Sequence, residues 1–241
     1  MKNATVRFLI GFAFGAIMLC TGGLRVTSIA NAASPVPAVG PAKALQMLLD
    51  GNQRFIDGKP QYPNQQVSRR EKLAAGQHPL ACVLSCSDSR IPPELIFDRG
   101  LGDIFVVRVA GNTAEPAGME SLRYAVDHLG PQLILVLGHR NCGAVKAAVS
   151  GHTEDFPVID KSILPAVIAT KGMPGNQVEN VTIENVRIAV QQLSKWAPFG
   201  ELVQEGKLKI VGGIYNLHTG HVMLIDQPNG PADEQEEETE D

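Results

Sequence analysis

The 241-residue chain carries 21 Lys and Arg against 25 Asp and Glu, and it is 44% hydrophobic but only 5% aromatic. Charge is unevenly spread: three basic residues and no acid fall in the first 32 positions, and seven acids fall in the last nine. Removing both stretches leaves 18 basic and 18 acidic residues. Such a neutral body speaks against nucleic acid, which calls for a basic face, and the scarcity of aromatics favours an aliphatic α/β core.

In chain order, Lys2 and Arg7 open a basic stretch, Phe8 to Gly23 is almost wholly apolar or small, and Ala30-Asn31-Ala32 follows. That layout predicts a secretory signal peptide over 1–32, cut after Ala32, and hence an exported protein, in the periplasm, with the thylakoid lumen or the extracellular side as the alternatives. The apolar run is short for a membrane-spanning helix, so no stable span is expected after cleavage. An uncleaved anchor is the alternative. One domain is expected over 33–227. Residues 228–241, a Pro-Asn-Gly-Pro stretch followed by the acids from Asp233 to Asp241, read as a solvated, disordered tail.

Ala42 to Asp57 has Leu45, Leu48, Leu49, Phe55 and Ile56 at helical spacing, and Pro60 and Pro63 end it. Gln66 to Ala75 reads as a short second helix. Strands are then expected at Leu80 to Ser85, Ile104 to Val109 and Leu133 to Leu137, and helices at Pro116 to Leu129, Gly143 to Val149 and Val178 to Trp196. Late strands are expected at Lys209 to Ile214 and His221 to Ile225. His152 to Gly175 reads as an irregular surface excursion. Alternation of strand and helix predicts an α/β fold, a mostly parallel central sheet flanked by helices on both faces.

Two motifs follow predicted strands: Cys86-Ser-Asp-Ser-Arg90 and Gly138-His-Arg-Asn-Cys-Gly143. Ligands of open α/β sheets gather beyond the carboxyl ends of strands, so the motifs are expected to meet there. Cys86, His139 and Cys142 then offer two thiolates and one imidazole, and three ligands with an open fourth position are the catalytic type of zinc site. Asp88 is near enough in sequence to reach that position. Taken singly, each residue reads more readily as core filler or a hydrogen-bonded structural side chain; the combination carries the signal. With Cys82, the mature chain keeps an odd number of cysteines. Two metal-bound thiolates and one buried thiol account for that in an oxidising compartment; a Cys86–Cys142 disulfide is the alternative.

Together these motifs resemble the β-class carbonic anhydrases. Further likeness lies in Gly51-Asn-Gln-Arg-Phe55, Phe105-Val-Val-Arg108, Ala110-Gly-Asn112, Tyr124-Ala-Val-Asp-His-Leu-Gly130 and Gly213-Ile-Tyr-Asn-Leu-His-Thr-Gly220. The resemblance spans roughly residues 42–225. It implies reversible hydration of carbon dioxide to bicarbonate, with Zn2+ on Cys86, His139 and Cys142. It also implies an Asp88–Arg90 pair, in which the aspartate either closes the zinc site or turns to the arginine and leaves a position for water. Gln77, Phe105 and Tyr124 match pocket residues of the plant-like branch, and Gly143 offers its backbone N–H to a bound oxyanion. Ala110 would join Phe105 in an apolar berth for carbon dioxide, and Tyr124 and His128 are candidate proton relays. The family builds its pocket between subunits, which implies a homodimer or a higher even-numbered oligomer. Val109 and Ala110 depart from the family's frequent Asn and larger apolar residue. Hydrolysis of carbonyl sulfide or carbon disulfide on the same fold is the second enzymatic reading, and a non-catalytic zinc scaffold the third.

Overall fold

The computed structural model describes residues 39–152 and 154–225. The expected signal peptide and acidic tail lie outside the described residues, as do the ends of the expected domain. Helices α1 (Pro41–Ile56) and α2 (Val67–Leu73) precede a five-stranded sheet. After them come β1 (Ala81–Ser85), α3 (Pro93–Ile96), β2 (Ile104–Arg108), a 3₁₀ turn at Ala110–Asn112, α4 (Pro116–Leu129) and β3 (Leu133–His139). The chain continues through α5 (Gly143–Ser150), α6 (Pro157–Ala169), α7 (Gln177–Lys195), α8 (Phe199–Gln204), β4 (Lys209–Tyr215) and β5 (Val222–Leu224). The sheet order is β2-β1-β3-β4-β5; all neighbours pair in parallel except β4 and β5. The α/β architecture expected from the sequence is the one observed.

Every residue of β1 and β3 is buried. Continuous apolar runs mark strands covered on both faces, and their alternate side chains feed two cores. Leu133, Leu135 and Leu137 join Ala44 and Leu48 of α1, Val145 of α5 and Ile163 of α6. Ile134 and Val136 face the other way, to Leu122 of α4, Val186 and Leu193 of α7 and Phe199 of α8. Truncating a fully buried residue such as Leu135 to Ala would cost about 2–5 kcal/mol.

The Gly-Asn-Gln-Arg-Phe stretch seats α1 on this body. A Cβ on Gly51 would lie 1.8 Å from the Phe97 carbonyl oxygen, so only glycine allows the approach. Buried Asn52 donates to the carbonyls of Ile96 and Gly220 and accepts from the Val222 N–H. Arg54 pairs with Asp98 at 2.6 Å. One helix is thereby tied to both the β1–β2 crossover and the β4–β5 turn.

The segment expected to be irregular, His152 to Gly175, instead contains α6. Ile159, Ile163, Ala166, Val167 and Thr170 line its inner face. Exposed Val158, Leu164 and Ile168 blur the 3.6-residue period, and Pro165 within the helix reads as a breaker. Pro157, by contrast, starts the helix where a missing N–H costs nothing. Among the described residues, no helix is long and apolar enough to cross a membrane.

Candidate active site and metal centre

Two strand carboxyl ends and one helix start converge at one place. Cys86 follows β1, His139 is the last residue of β3, and Cys142 is the N-cap of α5. Because β1 and β3 are adjacent and parallel, their ends bring together residues more than 50 positions apart. The ligand atoms of Cys86, His139 and Cys142 lie within 4.8 Å of one another, and all three residues are buried.

The donor set fits zinc. The Cys86 and Cys142 sulfurs are 4.0 Å apart, against ~3.8 Å for two sulfurs on one tetrahedral zinc at the usual bond length. Neither is joined in a disulfide, so the Cys86–Cys142 bridge weighed as the alternative is not formed. His139 Nδ1 sits 2.9 Å from the Arg140 carbonyl oxygen and must donate to it. That fixes the tautomer and leaves Nε2 as a bare lone pair, as second hydrogen bonds do for metal-binding histidines. Nε2 is buried with no hydrogen-bond partner, and a metal is the partner that its neighbours suit.

Charge is arranged to match. Cys86 is the thiolate of the cysteine pair, drawn down to about 4, chiefly by the hydrogen bond from Cys142, against the opposing effect of burial. Cys142, the donor in that bond and itself buried, is pushed up for the same reason. A metal taking both sulfurs must displace that proton. Cys82 points into the other core, fully buried, and burial pushes it up to about 12, so it stays an inert thiol.

Asp88 is turned to Arg90. Its carboxylate accepts from Arg90 Nε at 2.9 Å, from a terminal guanidinium nitrogen at 2.8 Å and from the Arg90 backbone N–H at 3.0 Å. The side-chain bonds to Arg90 hold the carboxyl far below its usual range despite partial burial. The Asp88 oxygen that accepts from the terminal guanidinium nitrogen also stands 3.9 Å from His139 Nε2, beside the metal position without entering the three-residue set.

The expected pocket residues fare differently. Gly143 opens α5 directly after Cys142, with clear space where a Cβ would be. Ala110, Gly143, Ala144, Ala147, Phe156, Ile159 and Asp160 line a cleft of about 270 Å³. Its apolar wall comes largely from α5 and α6, which the sequence reading did not single out. Gln77 is exposed in the loop before β1. Phe105 packs into the α4-side core, the layer opposite that of Cys86 and Cys142. Tyr124 is exposed on α4, its ring 5.1 Å from that of His128. Within one chain, Phe105 and Tyr124 are therefore not brought to the metal set. Ala110 reaches the cleft without Phe105.

Two contacts around the site were not foreseen. Arg108, at the end of β2, donates through Nε to the Cys86 carbonyl at 3.0 Å and through a terminal nitrogen to the Asp88 carbonyl, clasping the loop that carries both. The Gly111 N–H donates to the Cys86 sulfur at 3.2 Å. Arg108 and Gly111 lie in stretches that carried the resemblance, but nothing in their spacing announced these bonds.

Comparison with known proteins agrees with this geometry. A family model described as carbonic anhydrase matches residues 81–222. Carbonic anhydrase 2 of Mycobacterium tuberculosis is 39% identical over 201 residues, covering 79% of this chain and 96% of that protein. Among solved structures, the β-carbonic anhydrase CcaA superposes with a TM-score of 0.61 at 28% identity, covering 76% of this chain and 95% of that one. The tetrameric β-carbonic anhydrases of Sordaria macrospora give 0.59 at 25%, covering 78% and 98%. With the same strand-end cysteines and histidine that drew attention in the sequence now assembled on a mostly parallel sheet, the chain belongs to the carbonic anhydrase family, in its β class.

Proposed function

We propose that this protein interconverts carbon dioxide and bicarbonate at a zinc ion held by Cys86, His139 and Cys142, and that it does so outside the cytoplasm. The observation that carries the reading is the convergence of these three residues beside an aspartate already paired with arginine. A non-catalytic scaffold has no use for that pair.

Zinc bound there supplies a Lewis acid that makes water a nucleophile near neutral pH. The chain does the rest. His139 presents Nε2 because Nδ1 is committed to a carbonyl. Asp88, kept ionised by Arg90, is an acceptor only, so it takes a proton-bearing oxygen in one orientation. Arg108 holds the backbone on which both Cys86 and Asp88 depend. The cleft beside Ala110 and Gly143 offers apolar surface for a neutral, linear gas molecule, and the exposed N–H end of α5 favours the anionic product. Gln77, Phe105 and Tyr124 are assigned to a plant-like pocket completed by a second copy of the chain. Support comes from the position of Phe105 and Tyr124 away from their own metal set, and from β2, an edge strand of the sheet.

Export rests on the basic, apolar and small-residue regions of positions 1–32. The role then is supply or recapture of inorganic carbon at the cell boundary. Zinc analysis and carbon dioxide hydration measured on the same purified protein test the activity: about one zinc per chain and rapid hydration are expected, and a zinc-replete protein without hydration contradicts it. Amino-terminal sequencing of the native protein tests the location, with a start at or near Ala33 expected and an intact Met1 in a cytosolic fraction contradicting it.

A further inference from the structure

Asn185 lies on α7, buried, with no place in the ligand set. Its side-chain amide donates to the Gly111 carbonyl at 2.7 Å. Gly111, in turn, donates its N–H to the Cys86 sulfur at 3.2 Å. One residue thus links helix α7 to a metal-binding cysteine through a single glycine.

The conformation of that glycine makes the link possible. Gly111 has φ 73° and ψ 16° inside the 3₁₀ turn, a left-handed geometry that glycine adopts without penalty. A Cβ there would also lie 2.8 Å from Ile163 Cδ1. In this conformation the N–H faces sulfur while the carbonyl faces α7. Glycine is also the residue most free to leave the geometry. Nothing in its own side chain holds it, so an outside hydrogen bond must.

We propose that Asn185 is a positioning residue for the metal centre, holding Gly111 by its carbonyl in the left-handed conformation that keeps its N–H aimed at the Cys86 sulfur. The function of that N–H is electronic as well as geometric. A hydrogen bond to a thiolate withdraws electron density from sulfur, so the sulfur donates less to the metal and leaves the metal a stronger Lewis acid. With two thiolates in the set, the centre is otherwise electron-rich. Outer hydrogen bonds of this kind typically change metal affinity or activity by 10- to 100-fold.

The test is made on the full-length protein loaded with cadmium-113 in place of zinc and labelled with nitrogen-15. Scalar coupling across an N–H···S–Cd bridge should link cadmium to the Gly111 amide proton in the wild type, and should be lost in Asn185→Leu, which is close in volume but cannot donate. Cadmium content should stay near one per chain in both. In the cobalt-substituted proteins, the sulfur-to-metal charge-transfer band should move to longer wavelength in Asn185→Leu and stay in place in Thr182→Val, a buried change on the same helix. If Asn185→Leu does not fold, Asn185→Ser, too short to reach the carbonyl, should give the same loss and the same shift. Absence of the coupling in the wild type, its survival in a folded Asn185 variant, or an equal band shift in Thr182→Val would each overturn the proposal.

Discussion

Cys86, His139 and Cys142 come within 4.8 Å of one another inside a single chain, whereas Phe105 and Tyr124 sit in the opposite layer of that chain, Tyr124 exposed to solvent. The metal half is made by the sheet: parallel neighbours β1 and β3 end side by side, and α5 starts where β3 stops. Its geometry follows from the core. The residues proposed for the pocket lie at an edge, on β2 and the helix after it, and an edge is where another chain can be added. Under the proposed reading, the difference teaches that one polypeptide can hold its whole metal set while leaving its substrate pocket to be completed by a second copy.

The largest effect is expected from breaking the metal half. Cys86→Ser should lose most of its zinc and lower carbon dioxide hydration by about 1,000-fold or more, since the Lewis acid is worth several kcal/mol. Metal analysis beside stopped-flow hydration checks this, and a variant with full zinc removes Cys86 from the ligand set. Next comes Asp88→Ala, which should keep its zinc and lose activity by roughly 100-fold, the usual scale for a positioned proton acceptor. Undiminished hydration would deny Asp88 that part.

A smaller effect sharpens the comparison most. If the pocket half comes from a partner, Cys86→Ser chains mixed with Tyr124→Ala chains should form oligomers holding one native site: metal from one chain, pocket from the other. Mixtures should then exceed the activity of either variant alone. A mixture no better than the average of its two parents would place both halves in one chain.

The smallest effect concerns stability rather than chemistry. Burial alone would raise the Asp98 carboxyl, but the Gln61 N–H, Arg54 and the Tyr62 N–H together hold it below the ordinary range. A depressed carboxyl stabilises the fold above its unfolded pKa of about 3.9, and that contribution fades as pH falls through the folded value. Asp98→Asn should therefore be less stable at neutral pH by about 1–3 kcal/mol, with the gap to wild type narrowing below about pH 4 in thermal melts. Its zinc content should not change, because this ion pair seats α1 and not the metal half.

Much of the fold could be read from the chain because β1 and β3 are unbroken apolar runs and α1, α4 and α7 repeat apolar residues at helical spacing. Helix α6 could not, because Val158, Leu164 and Ile168 put apolar side chains on its outer face and Pro165 sits in its middle. The metal residues were legible for a related reason: strand ends converge, so a cysteine after one apolar run and a His-x-x-Cys after another are neighbours in space. Arg108 and Asn185 were not legible as working parts. They act on backbone carbonyls, and a bond to a carbonyl leaves no residue type to recognise at the other end. The placement of Gln77, Phe105 and Tyr124 rested on family resemblance rather than on any local pattern.

X-ray absorption at the zinc edge, on full-length protein shown to hydrate carbon dioxide, tests the central claim most directly. Two sulfurs near 2.3 Å, one imidazole nitrogen near 2.0 Å and one further light atom are predicted. A shell without sulfur, or with a single sulfur, in active protein would contradict the assignment of Cys86 and Cys142 as a thiolate pair on the metal.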